Sequence, residues 1–176
     1  DSTIYHKTVG ANLTQVEFEA TDLHQWPTGS VLPKKTIKTA NETINNSATY
    51  QNDDDLYFAV GANEVWEFIA MIRFNSTVAA GIKYQWTLPT GGTLKVTARL
   101  NGAIGTSSEC VEGAEVDGTT GVGLAGTASN AYIVRRYLYI GGANAGNVQL
   151  QWAQNTAEAS DTKVLANSYL SRRQLI

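Results

Sequence analysis

Cysteine is nearly missing from this chain. Cys110 stands alone, so no disulfide can close within the chain and no thiolate-rich metal site can be assembled from it. Stability has to come from packing, to which association with other copies can add. Charge is sparse too, at 16% of residues, and the formal net charge is −3. A chain so poor in cations lacks the many phosphate contacts on which nucleic-acid binding rests, so nucleic acid is not an expected partner. The basic residues gather only locally, at Lys34, Lys35 and Lys38, at Arg135 and Arg136, and at Arg172 and Arg173. Each group reads as a solvated strand edge or a set of salt-bridge partners. Long apolar runs are absent as well: the richest, residues 65–74, is broken by Glu67 and Arg73, and no membrane insertion is expected.

Catalytic signatures are also lacking. The two histidines, His6 and His24, both lie in the polar N-terminal stretch, where they read as surface or interface residues. No nucleophile elbow, phosphate loop, dinucleotide fingerprint or zinc-protease pattern occurs. The expectation is a protein that is not an enzyme and needs no cofactor. Asp1-Ser2-Thr3 carries neither an initiator Met nor a signal-peptide pattern, which points to a processed chain or a piece of a longer product.

What is present is strand-like alternation. Trp66, Phe68, Ala70, Ile72 and Phe74 share one face of a long strand, and Val65, Glu67, Ile69, Met71 and Arg73 share the other, which is partly covered. Ile82, Tyr84, Trp86 and Leu88 alternate with polar residues up to the turn Pro89-Thr90-Gly91-Gly92. Leu94, Val96, Ala98 and Leu100 alternate beyond it, and the two runs are expected to form a hairpin. Residues 132–140 and 148–152 alternate likewise, joined by the Gly-rich segment 141–146. Shorter strands are expected at 15–19, 55–60, 163–166 and 168–175. No window has sustained helical periodicity. The pattern predicts one all-β domain, an antiparallel β-sandwich of jelly-roll type over residues 50–176. An extended N-terminal arm with loops is expected over residues 1–49, a stretch that is polar and holds two of the three prolines.

Few residues stand out as a site. Asp53, Asp54 and Asp55 are a weak candidate for a hard cation, against the simpler reading of a solvated turn before a strand. Acids able to form a glycosidase pair exist among Glu64, Glu67, Glu109, Glu112, Glu115 and Asp117, but nothing pairs any two of them. Glu67 is expected to be partly buried in a salt bridge with Arg73, Arg135 or Arg136. Trp66, Trp86 and Trp152 are expected in the core. Trp26 and His24 lie outside the alternating runs and are candidates for subunit or ligand contact.

Two stretches carry a family resemblance. One is Thr39-Ala40-Asn41-Glu42-Thr43-Ile44-Asn45-Asn46-Ser47 leading into Gln51-Asn52-Asp53-Asp54-Asp55-Leu56-Tyr57-Phe58-Ala59-Val60. The other is Leu150-Gln151-Trp152-Ala153-Gln154-Asn155 through Ala166-Asn167-Ser168-Tyr169-Leu170. Together they resemble β-sandwich domains of structural proteins in tailed bacteriophages, from Thr39 to the C-terminus. That family in turn resembles the tumour-necrosis-factor-like and C1q-like jelly rolls, which are compact trimers. The resemblance implies a homotrimer on the virion exterior, as a capsid decoration, head-fibre or tail-fibre component, with other virion proteins as partners. It implies contacts through an apolar second sheet face that includes Ile69, Met71, Tyr137 and Tyr139; the competing reading is that these residues face the second sheet of the same chain. A host surface glycan is a further partner for a receptor role, with the Gly-rich stretch 112–130 at the distal end. A carbohydrate-binding module, a polysaccharide depolymerase and a cytokine-like secreted ligand are the competing classes.

Overall fold

A computed structural model of the chain describes residues 33–97 and 115–175. Its strands, in chain order, are β1 (Lys34–Ile37), β2 (Glu42–Asn45), β3 (Gln51–Val60), β4 (Val65–Asn75), β5 (Ile82–Thr87) and β6 (Thr93–Thr97). After them come β7 (Glu115–Asp117), β8 (Val122–Leu124), β9 (Asn130–Ile140), β10 (Gly146–Ala153), β11 (Asp161–Val164) and β12 (Tyr169–Gln174). The described residues contain no helix.

Pairing is antiparallel throughout and nested. β1 pairs with β12, β2 with β11, β3 with β10, β4 with β9, and β5 with β8. Such nesting is one long two-stranded ribbon folded back on itself, which is the jelly-roll topology. Three further seams close the ribbon into layers. β4 pairs with β12 and β11 along its second edge and β6 pairs with β9, giving the eight-stranded sheet, and β5 pairs with β10, giving the four-stranded sheet β3-β10-β5-β8. The fold is therefore an all-β, antiparallel sandwich.

Alternation in the sequence becomes the division between core and surface. Along β4 every even residue from Trp66 to Phe74 is buried, and every odd one from Val65 to Asn75 is half-buried on the outer face. The inner side chains of the two sheets meet through aromatic rings. Phe68 of β4 lies 5.3 Å from Phe58 of β3, 5.0 Å from Trp86 of β5 and 4.9 Å from Tyr137 of β9, measured between ring centroids. Trp66, Trp86 and Trp152 are all buried, as their positions in the alternating runs predict.

Three expectations need correction. The runs on either side of Pro89 do not pair as a hairpin: β5 joins the four-stranded sheet, whereas β6 pairs with β9 and β7 in the eight-stranded one. The turn closed by the Gly92 amide on the Pro89 carbonyl carries the chain from one sheet to the other, and turn residues do not encode which strand lies beyond. Residues 34–45, assigned to the arm, are strands of the sandwich. β1 and β2 are short and polar, and of their side chains only Ile44 is buried, so they present no hydrophobic alternation to read. The stretch 112–130 is not a single loop either, because it supplies β7 to one sheet and β8 to the other. The strand expected at residues 15–19, together with His6, His24 and Trp26, lies outside the described residues.

Candidate functional site

Two places on the sandwich gather side chains that the core does not explain. The first is the outer face of the eight-stranded sheet. Register places Ile37 of β1 beside Tyr169 of β12, Tyr169 beside Met71 of β4, and Met71 beside Val134 of β9. These four form one apolar row across four strands, and its two ends are open, with Ile37 52% and Val134 53% exposed. Tyr132, 70% exposed, stands next to Val134 on the same face, and half-buried Ile69 flanks the row on the other side. An apolar row open at both ends is the kind of surface against which another molecule can pack.

Charge borders this row. Glu67 on the outer face of β4 accepts from Arg173 Nε at 2.7 Å and pairs with Arg136 Nη1 at 3.0 Å. The partner expected in Arg136 is present, and Arg173 joins it. Arg73 is engaged elsewhere, donating to the Ala166 carbonyl at 2.9 Å. Glu67, Arg136, Arg173 and Lys95 also line a shallow groove that runs to Leu138 and Leu175.

Ile69 and Met71 sit on this outer face. Tyr137 and Tyr139 do not, which corrects their grouping with Ile69 and Met71: they are 3% and 0% exposed and point between the sheets. The odd positions of β9 share a face with the even positions of β4, because Phe68 pairs with Tyr137 and Trp66 with Tyr139. Burial, aided by the neighbouring Tyr84, pushes the Tyr137 hydroxyl well above the ordinary tyrosine range.

The second place is the acidic run in β3. Between Asn52 and Tyr57 the register with β10 slips, so that the four residues 53–56 stand opposite Leu150 alone. This bulge turns the Asp53 side chain inward, where it is buried. Asp53 Oδ1 accepts the Asp55 amide at 3.0 Å and the Leu56 amide at 2.8 Å. Lys38, 1% exposed, reaches it from the segment after β1, with Nζ 3.0 Å from Asp53 Oδ1, 2.7 Å from Glu42 Oε2 and 3.8 Å from Asp55 Oδ2. Glu42 is held in turn by Gln51 Nε2 at 2.6 Å and by the Asp54 amide at 3.2 Å. Burial alone would lower the lysine's pKa, but its bond to Glu42 and the charge of Asp53 outweigh that and hold it above the usual lysine value.

Neither reading of Asp53, Asp54 and Asp55 fits this arrangement. The segment is not a solvated turn, and the position where a cation would sit holds the Lys38 ammonium. Among the described residues no group of three or more His, Cys, Asp or Glu side chains is placed to hold a metal ion. The acids considered for a glycosidase pair serve local structure where they are described. Glu64 accepts from the Gly61 amide and Trp66 Nε1, Glu67 pairs with two arginines, and Asp117 accepts from Thr119. Sequence reasoning missed Lys38 as a buried residue, because only the bulge in β3 creates its pocket.

No protein-family model matches the chain, and no curated protein or solved structure is similar to it.

Proposed function

We propose that this protein is a structural subunit that works by self-association, a trimeric component on the exterior of a bacteriophage virion with no catalytic role. The observation that carries this reading is the apolar row Ile37, Tyr169, Met71 and Val134, in register across the outer face of the eight-stranded sheet. A second copy is the natural occupant. Both signs of charge flank the row, with Glu67 beside Arg136 and Arg173, and such a border can steer and register another copy against it. The jelly-roll topology, together with the phage-domain resemblance read from the stretches 39–60 and 150–170, supports a threefold arrangement, and the polar, weakly charged composition suits an exposed particle surface.

The test is the solution mass of the full chain by light scattering, alone and with Met71→Glu. Met71 is half-buried on the outer face, so a carboxylate there leaves the core intact and places a charge in the middle of the contact. The expected result is a trimer for the parent and a monomer with an unchanged circular-dichroism spectrum for the variant. A parent that is monomeric at tens of micromolar rejects the proposal, as does a Met71→Glu variant that stays fully trimeric.

A further inference from the structure

We propose that Lys38 and Asp53 become joined by an amide bond within the folded chain, with Glu42 carrying the proton. This proposal stands on the geometry of the β3 bulge alone and does not depend on the assembly reading above.

Four conditions for amide formation between an amine and a carboxyl group meet here. The first is proximity: Nζ lies 3.0 Å from Asp53 Oδ1, held by two side chains that are almost fully buried. The second is dryness: both side chains are shielded from bulk water, which would otherwise hydrolyse an intermediate or compete for the carboxyl carbon. The third is a proton carrier, and Glu42 Oε2 is 2.7 Å from Nζ. The fourth is stabilisation of the oxyanion. The Asp55 and Leu56 amides both donate to Oδ1, the oxygen on which negative charge would develop.

The other carboxylate oxygen has no such support. Asp53 Oδ2 is buried and lacks a hydrogen-bond partner among the described residues. As a permanent carboxylate oxygen it would be costly to bury. As the leaving oxygen it needs no lasting partner.

The step balances without any other reactant. Proton transfer from the Lys38 ammonium to the Asp53 carboxyl it contacts leaves a neutral amine and a neutral acid, the acid's hydroxyl being Oδ2 once the proton has redistributed within the carboxyl. The nitrogen lone pair attacks Cγ, the Nζ–Cγ bond forms, and the carbonyl electron pair moves onto Oδ1 between the two amides. Glu42 takes one proton from Nζ and returns it to the Oδ2 hydroxyl. The Cγ–Oδ2 bond breaks, water departs, and the Oδ1 carbonyl re-forms with its two hydrogen bonds kept. One ammonium and one carboxylate give one amide and one water, and Glu42 is restored.

The bond would fasten the two layers to each other. Lys38 follows β1 of the eight-stranded sheet, and its backbone is bound to Asn167 and Ser168 on the way to β12. Asp53 belongs to β3 of the four-stranded sheet. A covalent clasp there resists peeling of β1 and β2 from the sandwich, a place where no disulfide is available.

Intact mass spectrometry of the denatured full chain tests the proposal, followed by digestion. The expected mass is one water below that of the sequence. Trypsin should then give residues 36–73 as a single ring-closed peptide, and a Glu-specific protease should open the ring at Glu42 with the two pieces still joined through Lys38 and Asp53. Lys38→Arg keeps the charge but cannot form this amide, and should restore the full sequence mass. Glu42→Gln, checked for folding by circular dichroism, should lose most or all of the bond. A parent chain at its full sequence mass overturns the proposal, and so does a water loss placed at any other residue, such as a succinimide at another aspartate. A folded Glu42→Gln protein that carries the bond to the parental extent overturns the role given to Glu42.

Discussion

Phe68 is the hinge of contact between the two sheets, and replacing it with leucine isolates what its ring contributes. The side chain is 1% exposed and touches three rings, those of Phe58, Trp86 and Tyr137, the last stacked at an interplanar angle of 17°. Phe74 is the internal control. It lies on the same strand and the same face, is 3% exposed, and takes part in no ring pair among the described residues. Phe74→Leu removes volume alone and should cost about 1 kcal/mol, as near-conservative core exchanges do. Phe68→Leu loses the ring contacts as well. Each aromatic pair contributes about 0.5–1.5 kcal/mol beyond its buried area. The partners Trp86 and Tyr137 also touch each other and keep that contact, so the three terms do not add in full. The expected excess of Phe68→Leu over Phe74→Leu is therefore about 1.5 kcal/mol, roughly tenfold in the folding equilibrium. Urea unfolding followed by tryptophan fluorescence measures it. Protein concentration must be held fixed, because association would add its own contribution, and an unchanged m-value shows that the denatured state is the same. If the two substitutions cost the same to within about 0.5 kcal/mol, ring geometry is not what couples the sheets, and burial alone accounts for the core.

Two further perturbations test the turns and the acid limb of stability. The Gly61 amide, and after it the Trp66 indole, hold the Glu64 carboxyl below the usual glutamate range. A carboxyl that titrates lower in the folded chain than in the unfolded one stabilises fully above about pH 4.3, and its contribution is lost as pH falls through the lower folded value. Glu64→Gln should cost about 1 kcal/mol at neutral pH, less than usual for a bond to a charged group because the site is half-exposed, and should flatten the decline in stability on acidification. An acid limb as steep as that of the parent would refute the assignment. Gly126 is the other probe: a Cβ there would collide with the Thr77 carbonyl oxygen, where the backbone packs against backbone and neither side can yield cheaply. Gly126→Ala should cost about 2 kcal/mol and lower the melting temperature by roughly 4–8 °C. An unchanged melting temperature would mean that the segments around Thr77 and Gly126 do not approach this closely.

Much of the fold was legible because long, half-buried strands write their burial into the sequence. In β4 and β9 the side chains alternate with period two over eleven residues, in β5 over six, and in β10 over the six from Asn147 to Trp152, so the inner face could be read directly. Where both alternating sets are apolar or aromatic, the sequence leaves the choice open. In β9, Tyr137 and Tyr139 are no more apolar than Val134 and Ile140, and only the register with β4 decides which pair enters the core. Long-range partners were not legible at all. β5 and β6 are neighbours in the chain and lie in different sheets, whereas β1 pairs with β12 from the far end of the sequence.

The Lys38 cluster shows why the least legible part of the molecule has the most to say about its chemistry. Burying one ammonium with three carboxylates around it gains little stability over a well-packed apolar cluster, since desolvation consumes most of the Coulombic attraction. A stability argument alone therefore favours leucines or methionines at such positions. Their geometry answers to something else: the bulge that places Asp53 also aims two backbone amides at one of its oxygens and leaves the other without a partner. A salt bridge requires no such asymmetry, because an ammonium is served equally well by either oxygen. Amide formation does require it, since one oxygen must be retained and the other released. The same asymmetry separates the two readings in the mass measurement, because an ion pair leaves the mass of the chain untouched and the amide removes one water.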